Sequence, residues 1–115
     1  MRIAVVIALL LSPFATAQAC DCVDYAVKAL RSVHVRIQTM PDITADRSMK
    51  HLGEYSRSVV SVRDIDDCDT MVHELVHHVQ WERAGDAQDQ NEWHRREMEA
   101  NMVTARAMSE MGACQ

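Results

Sequence analysis

Between Val23 and Met40 apolar residues return every three or four positions, at Val23, Ala26, Val27, Leu30, Val33 and Ile37. That period lays them along one face of an amphipathic helix, which Pro41 is placed to stop. The stretch from Asp42 to Lys50 is polar and reads as a loop. Tyr55 to Arg63 differs: Ser58-Val59-Val60-Ser61-Val62 has the composition of a strand. A shorter strand from Met49 to Leu52 is expected to pair with it across Gly53. Asp64, Asp66, Asp67 and Asp69 then crowd together where carboxylates favour the positive end of a helix. The run lacks the glycine and the spacing of an EF-hand calcium loop. The helix they introduce is predicted from about Thr70 to Ala84, stopping at Gly85. Polar residues from Asp86 to Asn91 connect it to a last helix, about Glu92 to Glu110, that ends at Gly112. The pattern predicts one small α+β domain of about three helices and a small sheet.

The first nineteen residues follow another logic. Arg2 gives a positive start, Ile3 to Leu11 is an almost unbroken apolar run, and Ala17-Gln18-Ala19 is a small-x-small site. This is the layout of a secretory signal peptide (residues 1–19), with cleavage expected after Ala19. The run is too short for a membrane span, which takes roughly 20 apolar residues. A lipid anchor on Cys20 is the weaker option, because Ala17 stands where lipoprotein signals carry leucine. The expected product is an exported domain, residues 20–115, periplasmic or secreted, with no stable membrane span after cleavage.

Cysteine usage agrees with that compartment. Cys20, Cys22, Cys68 and Cys114 all lie after the cleavage point, an even number that reads as two disulfides. A bridge between Cys20 and Cys22 would be strained, so each is expected to pair with Cys68 or Cys114, in an order left open. A zinc site built from these thiols is the competing idea, but the spacing is not a usual one for zinc. The formal charge of −5 comes with no basic stripe, which excludes nucleic acid as a partner.

The chemistry is carried by His73-Glu74-Leu75-Val76-His77. Two histidines four apart on a helix share a face, so both imidazoles reach one metal ion. Glu74 between them is placed to take a proton from water activated by Zn²⁺. A catalytic zinc has three protein ligands and one open position, so a third ligand is required. Metzincins would supply a glycine and a third histidine, but Gln80 and Arg83 occupy those places. A carboxylate from the last helix remains. Glu97 and Asn101 are four apart on one face, suited to one metal ligand and one residue orienting a histidine. Glu99 is the rival ligand; it lies about 200° around the helix from Glu97, so only one of the two faces the metal.

HExxH followed by a helix with Glu-x-x-x-Asn resembles the gluzincin peptidases. The local Glu97-Met98-Glu99-Ala100-Asn101, with Gly53-x-Tyr55 upstream, is similar to the ImmA/IrrE-type and minigluzincin groups. It is also similar to the membrane-bound CaaX-protease and HtpX-like group, and the likeness covers roughly Gly53 to Ala105. It implies Glu97 as third zinc ligand and a small zincin-like domain. It also implies a small antiparallel sheet on the active-site helix, with an edge strand that holds an extended peptide. The chain departs from the ImmA/IrrE pattern in having Met102-Val103-Thr104 after the Asn, and in its signs of export.

The expected function is zinc-dependent hydrolysis of peptide bonds in a peptide or protein substrate, with Glu74 as general base. Tyr55 and His94 are candidates for stabilising the oxyanion. Trp81 and Trp93 are expected to pack the two site helices together, and the methionines to fill the interior. His34 and His51 receive no role. A domain this small offers little wall to the cleft, which points either to broad or weak activity or to a protein partner or inhibitor completing it, with the choice left open. The alternative from another class is a non-catalytic, zinc-stabilised peptide- or partner-binding module of the cell envelope.

Overall fold

The computed structural model describes residues 20–114; the signal-peptide reading of residues 1–19 lies outside them. In chain order the elements are α1 (Cys22–Ser32), β1 (Asp42–Ala45), β2 (Gly53–Ser56), β3 (Val59–Val62), α2 (Cys68–Ala84) and α3 (Gln90–Met111). The domain is α+β, with three helices and one three-stranded sheet.

Helix α1 starts where Asp21 accepts hydrogen bonds from the Val23 and Asp24 N–H groups. It ends well before Pro41, contrary to the expectation from periodicity. His34 adopts a left-handed φ of 63°, its N–H donates to Arg31 O, and the Val35 N–H donates to Leu30 O. These two bonds form a Schellman turn that closes the last carbonyls of the helix. Val35 and Ile37 still pack on the core from beyond the helix end, which is why the apolar spacing runs on past it.

The sheet is mixed, not antiparallel. Strands β2 and β3 form a hairpin whose two turn residues, Arg57 and Ser58, both have positive φ, the backbone hand that suits a two-residue hairpin. The expected single strand from Tyr55 to Arg63 is therefore folded in two. Its partner is not at Met49 to Leu52; β2 begins at Gly53. Residues read as loop supply β1, which lies parallel to β3 with Asp42 opposite Val59. The order β1-β3-β2 leaves β2 on an edge.

Helix α2 is the hub. It touches α1, α3, β2 and β3. Asp67 caps it by accepting from the Thr70 N–H and the Thr70 hydroxyl, as the acidic cluster suggests. Met71, Val72, Leu75 and Val76 are buried against Val60 and Val62 of the sheet, Ala26, Ala29 and Leu30 of α1, and Ala100 and Ala107 of α3. The alanines let the helices approach closely. Met71 is the one fully buried methionine among the described residues, with Met108 and Met111 partly buried against the same core. Met98 and Met102 face solvent, so the methionine-filled interior is not what the fold adopts. The Tyr25 hydroxyl donates to Gly112 O and ties α1 to the end of α3.

Disulfides join Cys20 to Cys114 and Cys22 to Cys68. The second links the first residues of α1 and α2 across 46 positions. Closing a loop of that length removes unfolded-state entropy worth about 4 kcal/mol, a large supplement to so small a core.

Candidate metal centre

His73 and His77 occupy successive turns of α2 and turn their Nε2 atoms toward each other, 3.2 Å apart. Glu97 reaches across from α3, its Oε1 lying 2.9 Å from His73 Nε2 and 2.5 Å from His77 Nε2. All three donor atoms thus fall within 4.8 Å of one another. Two ligands at 2.0–2.1 Å from a tetrahedral ion stand about 3.3 Å apart, close to the separation of the two nitrogens, whereas Glu97 Oε1 lies nearer to both and would have to draw back to share an ion with them. Two imidazoles and one carboxylate are also a donor set that zinc favours. Burial works to raise the pKa of Glu97, but hydrogen bonds with His77 and His73 outweigh it and hold the carboxyl below its usual range.

Glu74 lies on the same side of α2 and is buried. Its pKa is pushed up to about 7, first by burial and then by the Glu97 and Glu54 carboxylates, with His77 acting in the opposite sense. A divalent ion beside it would act with His77 and favour the ionised form. Gly53 makes room for this side chain. A Cβ built on Gly53 would stand 2.5 Å from Thr70 Cγ2 and 3.0 Å from both Cγ and Oε2 of Glu74. Edge strand β2 can therefore lie directly over the HExxH helix, which a larger residue there would prevent.

A cleft of about 630 Å³ opens over these groups, between β2 and the start of α3. Trp81 and Trp93 line it instead of packing the two helices together, and Trp93 is 48% exposed. His51, isolated along the chain and assigned no role above, also reaches the cleft.

Other expected residues fall elsewhere. Glu99 points away from the histidines and accepts hydrogen bonds from Gln80 and Arg83, which hold its carboxyl below the usual range. Asn101 lines a hollow beside His73 and Glu74, yet no hydrogen bond joins it to His73 among the described residues. His94 is exposed and packs edge-on against Trp93, 5.4 Å between ring centres, outside the cleft lining.

Tyr55 lines the cleft, but its hydroxyl is committed. It lies 2.7 Å from Nδ1 of His78 and accepts from the Ser58 N–H. His78 is fully buried, and its Nε2 meets Thr39 O at 2.6 Å. A carbonyl only accepts, so Nε2 carries a proton, with Glu82 Oε2 3.5 Å from the same nitrogen; in the neutral ring Nδ1 then accepts a hydrogen bond from the Tyr55 hydroxyl. In that form the Tyr55 proton is held by His78 and not by an oxyanion, and the pair is a strut between β2, α2 and the segment before β1. Sequence reasoning missed His78 because its partners lie 23 and 39 positions away.

Comparison of the chain with protein-family models, with curated proteins and with solved structures finds no match.

Proposed function

We propose that the chain is an exported zinc-dependent peptidase of gluzincin type. The observation that supports this best is the convergence of His73 Nε2, His77 Nε2 and Glu97 Oε1 beside buried Glu74, at the floor of a cleft bordered by an edge strand. The two disulfides fit an oxidising compartment, periplasmic or secreted.

On this reading His73, His77 and Glu97 hold Zn²⁺. The ion would polarise the scissile carbonyl and lower the pKa of a coordinated water toward about 7. The outer edge of β2 offers backbone groups to an extended peptide, which would lie across the cleft as an added strand. Glu74 takes a proton from the attacking water as the oxygen bonds to the carbonyl carbon. It then delivers that proton to the departing nitrogen as the C–N bond breaks, leaving a carboxylic acid and an amine; the second water proton passes from the new carboxyl to the amine, and the products part as carboxylate and ammonium.

The test compares the disulfide-bonded mature chain with Glu74→Gln for zinc content and for cleavage of a mixed peptide library. Equal zinc content with cleavage about 10²–10⁴-fold lower in the variant is expected. Zinc in both proteins and cleavage by neither would leave a zinc-stabilised binding module as the function.

A further inference from the structure

Gln80 is only 1% exposed, and its side chain lies between α2 and α3 with every hydrogen-bonding group occupied. Its Nε2 donates to Arg96 O at 2.9 Å and to Glu99 Oε1 at 2.8 Å. Both partners only accept, so the orientation of the amide is not a free choice: nitrogen faces them and oxygen faces the other way. That oxygen lies 2.8 Å from His77 Nδ1. An amide oxygen has no proton to give, so Nδ1 of His77 must be the donor. In the neutral ring this leaves the lone pair on Nε2, the atom that meets His73 Nε2 and Glu97 Oε1.

We propose that Gln80 is a positioning residue that fixes His77 as the Nδ1–H tautomer and so presents Nε2 to the metal, with Glu99 and Arg83 anchoring Gln80 in turn. This rests on the reading of His73, His77 and Glu97 as a metal centre. The site calls for a primary amide. It must donate twice, to Arg96 O and Glu99, and accept once, from His77. A glutamate would set a carboxylate against a carbonyl and a second carboxylate, and a leucine would leave Nδ1 without a partner. Glu99, the rival metal ligand by sequence, thus serves the centre at one remove. Arg83 donates to it at 3.1 Å and completes the chain Arg83–Glu99–Gln80–His77.

Long-range ¹H–¹⁵N spectra of the disulfide-intact chain, as purified and after zinc removal, report which nitrogen of His77 carries the proton. The wild type is expected to show Nδ1–H in both. Gln80→Ala is expected to lose that preference without zinc, and to bind zinc about 10- to 100-fold more weakly against a chromophoric chelator. Glu99→Ala, at a half-exposed position, is expected to weaken zinc in the same direction by less. Glu99→Gln keeps an acceptor oxygen for Gln80 and should retain wild-type affinity. A helix-packing role alone would lower stability but leave tautomer and affinity in place. A wild-type His77 that lacks the proton on Nδ1 overturns the proposal whether or not Gln80→Ala folds. So does a folded Gln80→Ala with unchanged tautomer and affinity, or equal affinities for Glu99→Ala and Glu99→Gln. A wild type that binds no zinc would fail the metal reading alone, and the tautomer would still decide the role of Gln80.

Discussion

Gly53 and Glu74 are in contact so close that no side chain fits between them: a Cβ on Gly53 would stand 3.0 Å from Glu74 Cγ and 2.5 Å from Thr70 Cγ2. Thr70 cannot easily yield, because it is buried and its hydroxyl is bound to Asp67. Gly53→Ala is therefore expected to cost about 1–3 kcal/mol in urea unfolding, the usual penalty of overpacking. Its zinc content should stay, since the histidines and Glu97 lie on other elements. Cleavage should fall, because the added methyl group displaces the Glu74 carboxylate. A variant as stable as the wild type would show that β2 does not sit on α2 as described.

Tyr55→Phe separates a structural role from a catalytic one. Removing the hydroxyl leaves His78 Nδ1 and the Ser58 N–H without their partner. A lost partner for a buried polar group costs about 1–3 kcal/mol, measurable by thermal or urea unfolding. Peptide cleavage by the folded variant should match the wild type. A stable variant with cleavage strongly reduced would return Tyr55 to the oxyanion.

The left-handed residue that ends α1 gives a third test. His34 holds φ 63° with a side chain, a conformation that glycine adopts freely and β-branched residues resist. Stability is expected in the order His34→Gly, wild type, His34→Val, with steps of about 0.5–1 kcal/mol in urea unfolding. Loss of stability in His34→Gly would argue against the Schellman turn.

What could be read from the sequence was local. Helix α2 announces itself through Met71, Val72, Leu75 and Val76, the Asp67 cap and Gly85, all within one stretch of chain. The histidine pair follows from helical spacing alone. The end of α1 was hidden because its left-handed residue is a histidine, not a glycine, and because Val35 and Ile37 continue the apolar rhythm outside the helix. Strand β1 gave no alternation to read: only Ile43 of its four residues is partly buried, and its parallel pairing with β3 is a long-range fact. The same holds at the site. Glu97 and Glu99 were separable as facing opposite ways, but which faced the histidines depended on how α3 docks on α2. That docking also decided that Gln80, the residue set against the metzincin pattern, touches His77 and Glu99 together.

Zinc affinity of the wild type, Glu97→Ala and Glu99→Ala, measured by chelator competition on the disulfide-bonded chain, tests the metal centre most directly. One zinc per wild-type chain is expected. Glu97→Ala should lose more than the roughly 10- to 100-fold typical of a group outside the coordination sphere, and Glu99→Ala should lose less than Gln80→Ala does, within or below that range. A wild type that takes up no zinc, or equal losses in the two variants, would contradict the assignment of His73, His77 and Glu97 as the ligands.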